Sequence, residues 1–340
     1  MNQAVNTSSE NLNTSDKVFS VPSEAMLEEV SCYLCGSDQS SPFTKAWDDL
    51  TGKPGTFHFV RCTDCGLTYQ NPRIRSEFIE AYYDDEYIAH RKKKDWGFMT
   101  PLYNWAMDKH DRQKSRLVAE YVSLSSTSKI LDIGCGAGTF LLKMRDVYNA
   151  NISGVDFKDL SSLPGFDKID FHHGPINEQD FSKDKFDLVT MWHFLEHDYS
   201  PLTTLEKVKD IIKDDGTLII EVPRLDSLSH KLYQERWPGL QAPQHTVIFD
   251  KKSLQVTLNK AGFEIQEYLP YGAFPAYFYL FSGLAFKFLK GKGLNLSKAV
   301  YPYFIGQLLM TPILIFEKHL NLAMQTVVCK KRAKAETNNE

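Results

Sequence analysis

The sequence predicts an α/β fold built on a mostly parallel sheet with helices on both faces, and three observations predict it. From residue 129 onward short apolar runs alternate with helical stretches, the pattern of strands joined by crossover helices. A glycine-rich turn, Gly134-Cys135-Gly136-Ala137-Gly138, connects the first run to a helix that starts near Phe140. An acid, Asp156, closes the next run 22 residues after Gly134. The 340 residues allow two to three domains at roughly 150 residues each. A net charge of −4, with 24% charged and 42% hydrophobic residues, is the composition of an ordinary soluble globular protein. It excludes a disulfide-stapled miniprotein, and it lacks the basic excess of a dedicated nucleic-acid binder, so no nucleic-acid partner is expected.

Taken in order, residues 1–28 are rich in Asn, Ser, Thr and Glu, with too little apolar surface to offset the entropy of ordering them, and read as a disordered tail. They also lack the basic start and continuous apolar run of a secretory signal, so the expected compartment is the cytoplasm. Residues 29–73 hold two cysteine pairs, two short β-like runs (Thr56–Arg61 and Leu67–Gln70) and turn punctuation at Gly52, Pro54 and Gly55. Residues 74–128 turn helical and aromatic and read as a connector. Strands are expected over Lys129–Ile133, Asn151–Val155, Ile169–His172, Phe186–Met191 and Thr217–Val222. A helix over Lys252–Ala261 stops at Gly262, a strand follows over Phe263–Tyr268, and Met324–Lys330 reads as one more strand before the polar tail 333–340. The sheet domain thus takes residues 129–269 and 323–332. Residues 270–322 form an apolar helical insertion between its last two strands.

The cysteine pairs, Cys32-Tyr33-Leu34-Cys35-Gly36 and Cys62-Thr63-Asp64-Cys65-Gly66, are two copies of C-x-x-C-G separated by 26 residues. Two intervening residues let both thiolates of a pair reach one tetrahedral Zn²⁺, and four cysteines fill its coordination sphere. Such a site is structural, because no position remains for water. Close pairs in a reducing compartment favour metal over disulfide.

The glycine turn exposes backbone N–H groups at a helix start, where a ligand can come close. Asp156, at a strand end, is placed to accept both ribose hydroxyls of a nucleotide-like ligand. A dinucleotide fingerprint would carry glycine or alanine where this chain has Thr139, which disfavours an NAD(P)-dependent oxidoreductase. The loop instead reads D-x-G-x-G-x-G, with Asp132 just before the first glycine. An acid there suits a ligand bearing an ammonium group, and S-adenosylmethionine carries one together with a ribose and no phosphate.

On these residues the chain resembles the class I S-adenosylmethionine-dependent methyltransferases. Asp132 to Gly138 is similar to that family's first motif, Asp156 to its ribose acid, Phe186-Asp187-Leu188-Val189 to its fourth strand, His193-Phe194-Leu195-Glu196-His197 to the following loop, and Asp215-Gly216-Thr217-Leu218 to the entry of strand five. The cysteine module resembles the amino-terminal metal-binding segment of sugar and natural-product methyltransferases. The resemblance implies a Rossmann-like seven-stranded methyltransferase sheet with a small zinc ribbon. It also implies methyl transfer to a small-molecule acceptor such as a sugar, a natural product or a lipid-linked intermediate. Asp132, Gly134, Gly136 and Gly138 would cradle the methionine part and Asp156 the ribose. Asp180 and Phe181 would meet the edge and face of the adenine, and Trp192 and His193 would border the methyl end. A non-catalytic scaffold that kept the fold is the other alternative, and a zinc ribbon also permits an enzyme acting on a macromolecule.

His193-x-x-Glu196-His197 also has the form of an inverted zinc-protease helix, but it directly follows an apolar strand and not a long amphipathic helix. His245 follows strand five, where acceptor-binding loops lie, and a histidine there can take the proton of an attacking hydroxyl. His193 and His245 are therefore the catalytic candidates. In the insertion, Ala273–Phe286 and Ala299–Phe316 are apolar and flank Lys287, Lys290, Lys292 and Lys298, with Pro302 and Pro312 interrupting the second stretch. The first stretch is too short to span a bilayer and the second is at the lower limit. Two readings stand: a helical lid over an apolar acceptor pocket or against another subunit, or a shallow hairpin at residues 273–316 resting on the inner face of an anionic membrane.

Overall fold

The computed structural model of the chain describes residues 20–83, 100–182 and 185–332. The amino-terminal part contains β1 (Leu27–Glu28), β2 (Ser40–Ala46), β3 (Phe57–Cys62), β4 (Thr68–Gln70), β5 (Arg73–Ile74), the short helix α1 (Ser76–Ile79) and the long helix α2 (Thr100–Tyr121). There follow β6 (Lys129–Ile133), α3 (Thr139–Tyr148), β7 (Asn151–Asp156), β8 (Asp170–His173), β9 (Phe186–Trp192), α4 (Pro201–Ile211) and β10 (Ile212–Pro223). The rest is α5 (Leu228–Tyr233), β11 (Val247–Ile248), α6 (Lys251–Lys260), β12 (Phe263–Leu269), α7 (Ala276–Leu289), α8 (Leu296–Leu314) and β13 (Met324–Lys331).

Seven strands form the main sheet in the order β12-β13-β10-β9-β6-β7-β8. The pairs β10–β9, β9–β6, β6–β7 and β7–β8 are parallel, and β13 runs antiparallel to both β10 and β12. Central strands covered on both faces should be apolar throughout, and β6 and β9 are buried along nearly their whole length. Successive side chains alternate between two cores. Ile130, Leu188, Ile219 and Val328 point to Leu117 and Val118 of α2 and Leu141 and Met144 of α3. Leu131, Val189, Leu218, Ile220 and Val327 point to Leu205 and Val208 of α4 and Leu254 and Leu258 of α6. The edge strand β12 instead alternates buried and exposed residues. Strand order reverses at β6, so the crevice beyond its carboxyl end, between β7 and β9, is where a ligand belongs in an open α/β sheet.

A second sheet, β11-β4-β3-β2, is antiparallel, and a two-stranded ribbon pairs β1 with β5. Strand β11 comes from the far end of the chain. Its neighbours reinforce the join: Gln70 N–H donates to the Thr246 carbonyl at 2.8 Å, and the Gln70 side-chain amide donates to the carbonyls of Pro243 and His245.

The structure corrects three sequence-based expectations. The tail expected over 1–28 lies outside the described residues only to position 19; from there the chain is placed, and Leu27–Glu28 pairs with Arg73–Ile74, so order begins before residue 29. Strand β10 starts at Ile212 and not at Thr217, because the polar Lys213–Asp215 stretch continues as extended chain. Helix α8 runs through both Pro302 and Pro312. Each proline removes one backbone hydrogen bond without ending the helix. The tail 333–340 and residues 84–99 of the connector lie outside the described residues.

Candidate active site

The glycine loop folds as its composition requires. Gly134 and Gly138 adopt φ of +75° and +69°, a region closed to most side chains. A Cβ at either would stand 2.7 Å from Phe194 or 2.6 Å from Ile169. The Gly136 N–H donates to Asp156 Oδ2 at 2.9 Å, and Lys158 N–H donates to Asp156 Oδ1 at 3.1 Å. Asp156 thus ties the glycine loop to the turn that follows β7. Asp132 is buried and accepts from Thr190 Oγ1 at 2.6 Å. Burial pushes its carboxyl up to about 7, against the pull of Lys114 and the Thr190 hydrogen bond. Helix α2 supplies Lys114 and the buried Asp111 to the same charge cluster. Sequence reading, which took this helix for a connector, missed both.

The other predicted cofactor residues are placed less uniformly. Trp192 is buried against Phe140 (ring centroids 5.4 Å) and beneath Lys114 Nζ (5.2 Å), and its indole N–H meets no acceptor. Asp180 is exposed and accepts from the Ser182 N–H. Phe181 departs from expectation. It is 1% exposed and sits edge to face with His172 and Phe186 inside the core, which leaves no open face for a nucleobase.

The two candidate histidines are both removed from the proton-accepting role expected of them. His193 follows β9 at φ +56°, which turns its ring back between two carboxylates. Nε2 lies 3.2 Å from Glu221 Oε1 and Nδ1 lies 3.5 Å from Glu196 Oε1. Burial opposes its charge, but these hydrogen bonds and carboxylates raise its pKa to about 9. At neutral pH it already carries the proton that a base would need to accept. His245 is 3% exposed and its Nδ1–H donates to the Gly239 carbonyl at 2.8 Å. Burial and the His193 charge lower its pKa to about 3 against that hydrogen bond, so it stays neutral but is a weak proton acceptor. It packs edge to face on His197 at 4.4 Å.

Glu221, from the end of β10, is the centre of this region and was also missed. Its carboxylate accepts from Ala273 N–H (2.6 Å), Phe274 N–H (3.0 Å) and Thr326 Oγ1 (3.2 Å) as well as from His193. Burial would raise its pKa, but His193 and the two backbone N–H groups outweigh that and hold it at about 2. A lone acid in the apolar run Leu218–Val222 was the available signal, since a buried charge needs partners.

Through Ala273 and Phe274 this hub fixes the entrance of the insertion. Helices α2, α7 and α8 enclose a cavity of about 400 Å³, lined by His110, Phe274, Phe278, Tyr303, Phe304 and Glu317 among others. Phe274 forms the shared wall: His193 packs on it at 4.9 Å and His110 at 5.5 Å. Glu317 accepts from Ala276 N–H at 3.2 Å. Burial first, and then the charge of Glu221, raises its pKa to about 7, with the Ala276 hydrogen bond and Lys109 acting against them. A carboxyl whose folded pKa is raised stabilises the packing around it below its unfolded pKa, and that contribution is lost as pH rises toward 7. A neutral apolar fluorophore such as N-phenyl-1-naphthylamine is therefore expected to bind more tightly at pH 6 than at pH 8. Glu317→Gln should flatten the difference, and an equal pH dependence in that variant would contradict the role.

The four cysteines converge. Their sulfurs all lie within 4.8 Å of one another, with Cys32 to Cys65 at 3.4 Å and Cys35 to Cys62 at 3.5 Å. A tetrahedral ion with bonds of about 2.3 Å spaces its sulfurs about 3.8 Å apart, so the cluster fits. Each pair sits in a tight turn closed by Gly36 N–H to Cys32 O (2.8 Å) and Gly66 N–H to Cys62 O (3.0 Å).

Strand order, glycine loop and paired acids define a class I S-adenosylmethionine-dependent methyltransferase domain. Residues 107–268 match the family described as methyltransferase domain. It is 31% identical over 104 residues to the ubiquinone biosynthesis O-methyltransferase of Glaesserella parasuis, covering 27% of this chain and 44% of that protein. It is 28% identical over 165 residues to the tRNA U34 carboxymethyltransferase of Idiomarina loihiensis, covering 44% and 50%. The chain thus spans half or less of the length of these curated relatives. Among solved structures, the 1,6-didemethyltoxoflavin-N1-methyltransferase of Burkholderia thailandensis aligns over 80% of this chain and 98% of its own, at 13% identity and a TM-score of 0.46.

Proposed function

We propose that the chain transfers a methyl group from S-adenosylmethionine to a small, largely apolar acceptor held beneath the insertion. One observation carries this reading: Phe274 lines the aromatic cavity and packs against His193, which directly follows β9 of the main sheet. Bound S-adenosylmethionine supplies an electrophilic methyl on a good leaving group, so the chain has mainly to align the acceptor and exclude water. Asp132 and the loop glycines would hold the methionine part, Asp156 the ribose hydroxyls and Trp192 the wall beside the methyl end. The helices α7 and α8 act as the lid. The imidazolium of His193, fixed by Glu221, stands beside the acceptor as a positive charge and hydrogen-bond donor. The cysteine cluster would hold a structural Zn²⁺.

Asp156→Ala is expected to weaken S-adenosylmethionine binding at least tenfold by calorimetry, and unchanged affinity would contradict the ribose role. Incubation with isotopically labelled S-adenosylmethionine and a metabolite extract should place the label on an apolar small molecule. Label found only on RNA or protein would overturn the acceptor class.

The outer face of the insertion supports a second reading, contact with an anionic membrane surface. Among the described residues no helix is long and apolar enough to cross a membrane. Yet Leu308 and Leu309 of α8 are each 74% exposed, with Ile305 and Phe316 near them in sequence, and Lys287 in the last turn of α7, Lys290 and Lys292 between the helices and Lys298 in the first turn of α8 lie alongside. Apolar side chains with flanking lysines suit shallow insertion among acidic headgroups. Flotation with phosphatidylglycerol vesicles at low salt should carry the chain upward. Recovery wholly in the soluble fraction rejects the contact.

A further inference from the structure

The insertion is held to the cysteine module as well as to the main sheet. The loop between β2 and β3, residues 47–56, meets the turn between α7 and α8, residues 290–295. Leu294 N–H donates to the Leu50 carbonyl at 2.9 Å. The Asp49 carboxylate accepts from the Gly291 N–H and, at 2.6 Å, from Arg236 Nη1. The Arg236 guanidinium in turn lies 3.9 Å from the centre of the Trp47 ring. The Asp49 and Arg236 side chains are only 7% and 15% exposed, so salt and water screen this pair little.

Two glycines let the backbones touch. Gly52 and Gly293 adopt φ of +80° and +75°. A Cβ on Gly52 would stand 2.8 Å from Gly293 N, and one on Gly293 would stand 2.7 Å from the Thr51 carbonyl oxygen, an approach that a side chain forbids. On the module side the loop is braced from within: Asp48 Oδ1 accepts from Thr51 N–H at 2.8 Å, and the Asp48 carbonyl accepts from Gly52 N–H at 2.8 Å. The contact reaches the aromatic cavity directly. Leu294 and Phe278 both line that cavity, and Phe278 also borders, with Trp47, Leu50 and Phe286, a small pocket between the loop and α7.

We propose that the β2–β3 loop is a positioning element of the acceptor site, in which Asp49 and Gly52 clasp the α7–α8 turn and set where Leu294 and Phe278 close the cavity. This rests on the reading that α7 and α8 cover the acceptor. Helix α7 is then pinned at both ends, by Glu221 at its entrance and by the clasp at its exit. The cysteine module thereby helps to fix the size of acceptor that fits.

The test uses the full chain. N-phenyl-1-naphthylamine reads the cavity, and calorimetry with S-adenosylmethionine reads the cofactor site. Gly52→Ala drives a methyl group into filled space, which should weaken the probe about fivefold or more and speed hydrogen exchange over residues 276–305. S-adenosylmethionine affinity should stay within about twofold, because the clasp lies apart from the glycine loop. Gly291→Ala is the control. Its φ is +84°, yet its Cβ would meet nothing nearer than 4.0 Å, so it carries the backbone strain without the wedge and should leave both readouts near those of the wild type. Should Gly52→Ala fail to fold, Asp49→Asn, which takes the charge from the clasp without adding bulk, is read in the same way. Unchanged probe affinity and exchange in the clasp variant, or an equal loss in Gly291→Ala, overturns the proposal, and the exchange measurement decides without any probe. A wild-type chain that takes the probe but not S-adenosylmethionine overturns the methyl-transfer reading instead.

Discussion

Replacing Glu221 with alanine is expected to destabilise the folded chain by about 3–5 kcal/mol, the cost of removing one partner from a buried charge pair. The substitution strands the His193 imidazolium and leaves the N–H groups of Ala273 and Phe274 without their acceptor. The entrance of the insertion loses its anchor to β10 at the same time. Urea denaturation measures the total, and hydrogen exchange over residues 273–289 should show the insertion loosening first. Glu221→Gln keeps the shape and part of the hydrogen bonding, so its loss should be smaller. A loss under about 1 kcal/mol for the alanine variant would show that the pair is solvated and not buried.

Replacing Cys62 with serine, or stripping metal with a chelator, should have an effect of similar or greater size. Apparent zinc binding energies at structural sites reach roughly 10–16 kcal/mol in isolated fingers, and here the site is not isolated. Cys32, Leu34, Cys62, Leu67 and Tyr69 share one core cluster with Leu254 and Leu258 of α6 and with the main sheet. Damage at the cysteines therefore reaches the catalytic domain. A loss of even about 3 kcal/mol would lower Tm by roughly 4 °C at this size, and calorimetry should show one transition moving as a whole. An unchanged Tm after complete chelation would exclude a structural metal there.

What could be read from the sequence depended on whether a single residue type announced its surroundings. The central strands β6 and β9 were visible because burial on both faces demands continuous apolar runs. The glycine loop and the cysteine pairs were visible because backbone conformation and metal geometry demand particular residues at fixed spacing. Strand β11, two residues long, carries no period to detect. His110, Asp111 and Lys114 lie on a helix whose polar residues are spread all round, so nothing in the pattern marks the side that meets the crevice. The surroundings of His193 and His245 were not legible, because Glu221, which holds one ring, lies 28 residues away and the turn that brings the Gly239 carbonyl back onto the other ring carries no period to detect. Phe181 failed for the same reason: its neighbours, and not its identity, decide whether a ring face is free.

The strand that completes the amino-terminal sheet has a consequence for how the protein is made. Gln70 binds the carbonyl of a residue 175 positions later. At roughly 5–20 residues per second on the ribosome, about 9–35 s separate synthesis of β4 from that of its partner. Throughout that interval the edge of β4 is open to pairing with any other nascent chain, so the segment made first is among the last to be finished, and chaperone protection would matter most during that delay.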